Sequence, residues 1–279
     1  MINPVFLLTR FNLLLWRCDK EGRNVRSQEW LEHRFSLFED YCFPSVKNQS
    51  CQDFIWIILF DSKTPDVFKK RIAAYQTDCP QLVPIYVEPE NGRHFASVFR
   101  AEVMKRVDQR CTRVVTTYLD NDDALNINFI EDVQLRSEEL ADGTIINYND
   151  GYQFFERGQY IMKLRHKKNH FMSLVERASS LKTIYGYGSH YYIDGREDVK
   201  TIHVQYRPMW CEIVHEKNMD NDAYFLRAKL ARDRELLKRD FAIDAEVQTG
   251  IDKYLFCYLP RYVRVFFRRL KYFFWGRHW

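Results

Sequence analysis

The sequence of 279 residues lacks the features that mark membrane-spanning or multidomain chains. It has no uninterrupted apolar run of about 18 residues, which excludes a conventional transmembrane helix. It contains only 10 Gly and 8 Pro and no Gly/Ser-rich linker, so we expect one continuous domain. The apolar start is interrupted by Arg10 and Asn12 and lacks the order of regions found in a signal peptide.

Cysteine is also sparse. The seven cysteines are odd in number and widely spaced, and no two of them form a CxxC pair. This pattern favours reduced thiols in a cytosolic chain over a disulfide framework or a zinc site.

Apolar residues are abundant, and the charge is unevenly distributed. Hydrophobic residues make up 46% of the chain and charged residues 29%, as in ordinary soluble globular proteins. The net charge is +4, but residues 254–279 contain six Arg or Lys and no acid, so residues 1–253 carry −2. A slightly acidic body argues against a nucleic-acid-binding protein.

Short apolar runs alternate with helical patterns over the first 150 residues. Phe54–Phe60 is apolar throughout, which is typical of a strand covered on both faces. The other strands predicted here are Val5–Leu8, Val83–Val87, Val114–Leu119 and Thr144–Tyr148. The helices predicted here are Trp30–Phe43, which we expect Pro44 to end, one beginning at Pro65, one around Phe99–Val107, and Ile127–Leu140. This alternation predicts an α/β fold with a central, mainly parallel sheet flanked by helices.

The second half of the chain is less regular. It contains apolar runs that predict strands at Tyr160–Leu164 and Met209–Val214, followed by a helix from about Asp222 to Arg239. We therefore expect one domain over residues 1–253 and an appended basic, amphipathic helical segment over residues 254–279.

The strongest chemical feature is Asp120-Asn121-Asp122-Asp123, directly after the predicted strand Val114–Leu119. Open α/β sheets bind ligands at the carboxyl ends of their strands. Two acids one residue apart can offer oxygens to Mg²⁺ or Mn²⁺, which can bridge them to a diphosphate. The alternative is an acidic turn that caps the following helix. We expect that alternative at Asp220-Asn221-Asp222, which has no strand directly before it.

The surrounding motifs resemble those of a known family. Phe6–Asn12 (FLLTRFN), Asp53–Asp61 (DFIWIILFD), the run LDNDDAL and Trp210–Asn218 (WCEIVHEKN) occur in the order found in putative bacterial rhamnosyltransferases, which are GT-A-fold nucleotide-sugar glycosyltransferases. In that fold the acids of LDNDDAL are similar to the DxD motif. The resemblance spans roughly residues 5 to 220.

The resemblance implies which residues bind the nucleotide sugar. Thr9, Arg10 and Asn12 would hold the base or phosphates, and Asp61 would accept a hydrogen bond from the base or ribose. Asp120 and Asn121 would complete this site. Arg100 is a further candidate for this site. A place on a solvated helix face, without a binding role, is an equal alternative for Arg100.

The resemblance also implies a divalent metal, Mn²⁺ or Mg²⁺, bound by Asp122 and His215. A neutral imidazole suits Mn²⁺ better than the oxygen-preferring Mg²⁺. His190 and His203 are alternatives to His215.

An inverting transfer needs a base to deprotonate the acceptor hydroxyl. Asp150, which follows the strand Thr144–Tyr148, is the first choice for that base. Glu176 and Asp198 are the other two candidates.

The C-terminal segment has the pattern of an amphipathic helix. Between Arg261 and Phe274 the apolar side chains cluster on one face, and Arg264, Arg268 and Lys271 fall on the opposite side. This arrangement suits an anionic membrane interface. A helix packed on the protein's own core is the alternative, and nucleic acid ranks third.

These expectations combine into a metal-dependent glycosyltransferase. The donor would be a dTDP-, UDP- or GDP-sugar, L-rhamnose in particular, and the acceptor a surface polysaccharide or lipid-linked glycan. The protein would be cytoplasmic and peripheral on the inner face of the cell membrane. A catalytically inactive protein of the same fold and a metal-dependent phosphohydrolase are the alternatives.

Overall fold

The computed structural model describes residues 3–15, 27–193, 196–215 and 228–275. The control sequence Asp220-Asn221-Asp222, the end of the late WCEIVHEKN motif and the terminal Trp279 lie outside the described residues. All the candidate site residues named above lie inside them.

Twelve strands are present in the described part of the chain. They are β1 (Val5–Arg10), β2 (Phe54–Asp61), β3 (Leu82–Val87), β4 (Arg113–Tyr118), β5 (Ala124–Leu125), β6 (Thr144–Tyr148), β7 (Asp150–Phe155), β8 (Tyr160–Arg165), β9 (Met172–Arg177), β10 (Lys200–Val204), β11 (Trp210–Val214) and β12 (Lys229–Leu230).

The strands form two sheets. A seven-stranded sheet has the order β10-β6-β9-β4-β1-β2-β3, in which β9 is antiparallel to both β4 and β6 and every other neighbouring pair is parallel. The second sheet has the order β12-β8-β7-β11-β5, with β7 and β11 parallel. The expected α/β fold with a mainly parallel central sheet is therefore confirmed.

Helices flank the first sheet. The α-helices are α1 (Gln28–Leu37), α2 (Phe43–Lys47), α3 (Asp66–Asp78), α4 (Phe95–Met104), α5 (Phe129–Ser137), α6 (His190–Ile193), α7 (Leu236–Phe241), α8 (Ile251–Lys253) and α9 (Leu259–Trp275). Short 3₁₀ turns include Pro89–His94 and Ile184–Tyr187, and π turns occupy Phe38–Cys42 and Tyr254–Tyr258.

The expectation that Pro44 ends the first helix is wrong. The chain continues as a helix through Pro44 to Lys47, because α1 passes through the π turn Phe38–Cys42 into α2. The wider turn, in which the Phe43 N–H binds the Phe38 carbonyl, precedes Pro44, which lies in the first turn of α2. A proline is tolerated there because the first-turn N–H groups need no helical partner.

The predicted helix Asp222–Arg239 is also wrong in its described part. Lys229–Leu230 forms β12 on the edge of the second sheet, antiparallel to β8. Helix α7 begins only at Leu236. The edge pairing with β8 overrides the local helical pattern, as tertiary context often does.

The core covers both faces of the first sheet. Leu7 of β1 packs with Phe35, Phe38 and Trp56 on one face. On the other face, Phe6 and Leu8 pack against Phe99 of α4, with other members of the same cluster around them. Burial on both faces explains why these strands are continuously apolar.

The C-terminal helical segment begins earlier than the expected boundary between residues 253 and 254. Helix α8, the π turn Tyr254–Tyr258 and α9 follow one another without a break from Ile251 to Trp275. In the described residues, no helix has both the length and the apolar character needed to cross a membrane.

Candidate active site

The candidate site residues gather at one edge of the first sheet. Strands β1, β2, β4 and β6 are parallel and end at this edge, and β9, which runs the opposite way, begins there. Asp61, Asp120 and Asp150 follow or end β2, β4 and β6, so the topology brings all three to this edge. Two strand spacings separate β6 from β4, about 10 Å.

The acidic turn after β4 is held in place by Asn121. Its side-chain amide donates to the backbone carbonyls of Arg10 (3.2 Å) and Phe11 (2.7 Å), and its carbonyl oxygen accepts from Arg34 Nη1 of α1 at 3.2 Å. These bonds join the end of β4 to the end of β1. The buried Asn121 thus fixes the orientation of the acidic turn relative to the end of β1.

Asp122 lies between a guanidinium and an imidazole. Its Oδ2 accepts from Arg34 Nη1 at 2.5 Å and lies 3.0 Å from His215 Nε2. Burial opposes ionisation of this carboxyl, but the Arg34 charge and the His215 contact hold its pKa well below the ordinary value. The His33 ring of α1 stands 5.4 Å from the His215 ring. The structure thus brings together the two residues expected to bind the metal and adds Arg34 to them.

A second group consists of Asp120, Asp123 and His170. Potential ligand atoms of these three side chains all lie within 4.8 Å of one another. His170 Nε2 is 2.7 Å from Asp123 Oδ2 and 3.9 Å from Asp120 Oδ2. Asp123 Oδ1 also accepts from the Ile213 N–H of β11 at 2.9 Å, which connects this group to the second sheet.

The electrostatics of this second group favour positive charge. Burial raises the pKa of Asp123 to about 6, with further contributions from the nearby Asp122 and Asp120 charges, although the His170 contact acts the other way. Burial alone would lower the pKa of His170, but the contact with Asp123 outweighs it and raises that pKa to about 9. The potential ligand atoms are close enough to hold one cation, which would take the place of the proton on His170.

Arg10 occupies an aromatic enclosure beside the acids. Its Nη2 donates to the Tyr118 hydroxyl and lies 3.6 Å from Asp120 Oδ1. The guanidinium carbon stands 4.9 Å from the Phe95 ring centroid and 5.2 Å from that of Tyr185. Arg10 Nε is buried and has no hydrogen-bond partner among the described residues.

The other residues expected to bind the nucleotide are placed differently. Thr9 is fully buried, and its hydroxyl accepts from Trp56 Nε1 at 2.9 Å. Asn12 accepts from the Asp61 N–H at 3.1 Å and donates to Thr64, while Asp61 Oδ1 accepts from the Lys63 N–H at 2.8 Å. Asn12 and Asp61 therefore organise the loop after β2. Arg100 is exposed on α4.

The three candidate bases have distinct surroundings. Asp150 is buried and accepts from Arg165 Nε (2.9 Å) and Nη2 (3.2 Å). Glu176 accepts from the N–H groups of Lys182 and Thr183 and so shapes the loop after β9. Asp198 forms a surface ion pair with Arg196.

The two alternative histidines also differ. The His190 ring lies 5.7 Å from the His170 ring, and burial together with the His170 charge lowers its pKa to about 3. His203 lies on β10, where its Nδ1 is 3.0 Å from Asn149 Oδ1. Of these two histidines, His190 lies beside the group of Asp120, Asp123 and His170, next to the His170 ring.

Sequence reasoning missed Arg34, His170 and the buried acid Glu212. Asp123 was visible as the third carboxylate of LDNDDAL, but no local pattern marks His170 as its neighbour or Arg34 as the neighbour of Asp122. Glu212 accepts from Gln153 Nε2 at 2.6 Å, and burial, with the Asp123 charge second, raises its pKa to about 7. An acid within an apolar strand run, as in Trp210–Val214, is the signal that could have drawn attention to it.

This arrangement is that of a ligand-binding α/β sheet. Acids follow the fourth strand of a mainly parallel sheet and lie beside a basic group at the end of the first strand, at the carboxyl edge where such sheets bind their ligands. Over residues 5–225 the sequence matches the family described as "Putative rhamnosyl transferase", and the chain belongs to that family. No curated protein matches the chain.

Several solved structures are similar to this one at low identity. S. aureus TarS is 10% identical, with a TM-score of 0.42 over 77% of this chain and 37% of that one. TarS 1–349 in complex with UDP is 10% identical, with a TM-score of 0.44 over 76% and 61%. A putative nucleotide-diphospho-sugar transferase from Desulfovibrio desulfuricans G20 is 10% identical, with a TM-score of 0.36 over 75% of this chain and 82% of that one. The chain thus spans about a third of TarS and about three fifths of TarS 1–349.

Proposed function

We propose that this protein is a metal-dependent glycosyltransferase that moves a sugar, L-rhamnose in particular, from a nucleotide-sugar donor to a surface polysaccharide or lipid-linked glycan. One observation carries the proposal. Asp120, Asp123 and His170 form a cation-suited group directly beside Arg10, at the edge where this kind of sheet binds ligands. A cation and an arginine side by side suit a diphosphate, which is charged and must leave during transfer.

Arg10 is the proposed diphosphate or base contact. Its guanidinium is fixed by the rings of Phe95, Tyr118 and Tyr185 and by a hydrogen bond to the Tyr118 hydroxyl, so little side-chain entropy remains to be lost when a ligand binds. Asp61, Asn12 and Arg100 complete the proposed donor site, which would take a dTDP-, UDP- or GDP-sugar. The solved TarS 1–349 structure in complex with UDP supports this donor class.

The proposed cofactor is Mn²⁺ or Mg²⁺. Two carboxylates and one imidazole offer oxygen and nitrogen ligands, a set that fits Mn²⁺ well and Mg²⁺ less well. The Asp120 side chain is 34% exposed, so this group can be reached from solvent. When bound, the cation would neutralise the charge that develops on the leaving diphosphate.

The ligand set expected from the sequence, Asp122 with His215, is the alternative. Its two side chains are in contact, but Arg34 also occupies the Asp122 carboxylate. Manganese titration of two variants distinguishes the sets. His170→Ala should raise the Mn²⁺ concentration needed for half-maximal activity at least tenfold, and His215→Ala should change it less. The reverse order would assign the metal to Asp122 and His215.

Asp150 is the proposed base for the acceptor hydroxyl. It lies at the same sheet edge as the acids, two strands away, and Arg165 holds its orientation. Asp150→Asn should lower kcat strongly with donor affinity unchanged. An unchanged kcat would limit Asp150 to a structural pairing with Arg165.

A panel of nucleotide sugars, incubated with and without Mn²⁺, tests the activity itself. We expect slow, metal-dependent nucleotide release without an acceptor. No release and no binding would indicate an inactive protein of the same fold. Rapid release independent of any acceptor would indicate a phosphohydrolase.

We also propose an anionic membrane surface as a partner, with the protein peripheral on the cytoplasmic face of the cell membrane. The six basic residues of segment 254–279, and the absence of acids there, support it.

A further inference from the structure

The C-terminal helix is fixed to the protein beside the active site. Tyr258 is only 9% exposed and packs in a cluster with Phe155, Tyr160, Met162 and Val214 of the second sheet. Val214 is followed by His215, which contacts Asp122. The start of this helix thus packs in the cluster that contains Val214, the last residue of β11, and the next residue, His215, contacts the acidic turn.

The same helix carries an apolar stripe that faces away from the protein. Phe256 is 78% exposed and Phe267 is 62% exposed. Other apolar side chains at helical spacing are also exposed, namely Ile251, Leu255, Leu259, Val263 and Phe266. Spacings of three and four residues place them along one side of the helix, over a length of about 24 Å.

Charge complementarity identifies the surface that this stripe fits. Residues 254–279 contain six Arg or Lys and no Asp or Glu, and Arg264 and Lys271 are exposed on the described helix. Apolar side chains flanked by cations suit an anionic bilayer. The apolar side chains insert into the bilayer, and the cationic side chains contact the anionic headgroups. A second copy would bring two cationic helices together, which like charges disfavour.

We propose that this fixed helix holds the active site against an anionic bilayer and that the acceptor is therefore a glycan attached to a membrane lipid. The inference rests on the proposed glycosyltransferase function and names its acceptor class. A helix that only anchored the protein would need no fixed geometry. Packing through Tyr258 gives the site a constant position relative to the membrane, so a lipid-linked acceptor reaches it at a raised local concentration.

The test compares two double variants. Phe256→Ser with Phe267→Ser removes the two most exposed aromatic side chains of the stripe, and Val67→Ser with Leu135→Ser removes two exposed apolar side chains from α3 and α5. Each protein is sedimented with vesicles of equal phosphatidylglycerol and phosphatidylcholine. Each is then assayed on a polyprenyl-diphosphate-linked sugar in those vesicles and on the same sugar with a short water-soluble alkyl group.

We expect the stripe variant to lose at least tenfold in vesicle partition and in transfer to the lipid-linked acceptor, with transfer to the soluble acceptor unchanged. The control variant should match the wild type in all three. An equal loss of transfer to both acceptors would overturn the inference, and so would unchanged vesicle binding. Conversion of a wild-type dimer to a monomer by the stripe substitutions would overturn it as well. Wild-type protein that transfers to neither acceptor would instead contradict the proposed function, and the acceptor assignment would fall with it.

Discussion

At the scale of single residues, the site depends on a few charged side chains that each have several partners. Arg10 contacts Asp120 and Tyr118 and is enclosed by aromatic rings, while Arg34 contacts both Asn121 and Asp122. Such shared contacts mean that one substitution alters several interactions at once. Conservative variants are therefore needed to separate charge from shape.

Arg10 offers such a pair of variants. Arg10→Ala should weaken donor binding by about 10- to 100-fold, since a charge-assisted hydrogen bond contributes about 1.5–3 kcal/mol. Arg10→Lys keeps the charge but loses the planar group that stacks on Phe95 and Tyr185, so we expect an intermediate loss. Calorimetric titration with nucleoside diphosphates measures both. Equal donor affinity in Arg10→Ala and wild type would remove Arg10 from the donor site.

The same residues show what the sequence could and could not reveal. Asp120 to Asp123 were predictable because a strand and its following acids are adjacent in the chain. Their partners were not, since His170 is 47 residues from Asp123 and Arg34 is 87 residues from Asn121. Only the strand order, in which β9 begins beside the end of β4, brings His170 to the acids.

At the scale of elements, apolar patterns located the buried strands well because burial on both faces leaves a clear signal. The strand Thr144–Tyr148 has its predicted bounds. Edge elements were harder, as β12 shows, because its strand form comes from pairing with β8 and not from its own residues. The passage of the first helix through Pro44 likewise depends on a π turn that no local pattern announced.

Close packing between β7 and β11 gives a prediction for the second sheet. A Cβ added at Gly151 would lie 2.1 Å from Trp210 Cδ2, and Trp210 is fully buried against Phe171. Gly151→Ala should therefore destabilise the protein by about 1–3 kcal/mol or more. At Gly92 the nearest atom is an ordinary 3.6 Å away, so Gly92→Ala should be close to neutral. Urea unfolding compares them, and equal midpoints would contradict the packing described.

The start of the C-terminal helix, where Tyr258 packs against the second sheet, gives another prediction about stability. Tyr258→Ala should lower the free energy of unfolding by about 2–4 kcal/mol, because it leaves a cavity between Phe155, Tyr160 and Val214. Phe256→Ala, two residues earlier and exposed, should change stability by less than about 0.5 kcal/mol. Thermal unfolding in the absence of lipid measures both. A neutral Tyr258→Ala would mean that the helix is not fixed to the sheet.

At the scale of the whole molecule, two sheets meet around one acidic turn. The first sheet supplies Asp120 and Arg10, and the second reaches the same turn through the Ile213 N–H and His215. A ligand bound to these acids is therefore linked through them to both sheets. Binding energy at the junction should stabilise the whole chain and not one element alone.

Thermal stability in the presence of Mn²⁺ tests this coupling. A cation that binds only the folded chain adds about 2.7 kcal/mol at a concentration 100 times its Kd. For a chain of this size that corresponds to a rise in Tm of about 5–10 °C. Asp120→Asn and His170→Ala should each remove most of the rise, because the first removes the negative charge of a ligand and the second removes a ligand atom. Asp66→Asn, which changes a carboxylate that is 94% exposed on α3, should retain the rise in Tm.

If His170→Ala keeps the full rise in Tm while His215→Ala loses it, the cation lies between Asp122 and His215, and the proposed ligand set is wrong. A rise that survives all three active-site substitutions would place the cation elsewhere on the chain.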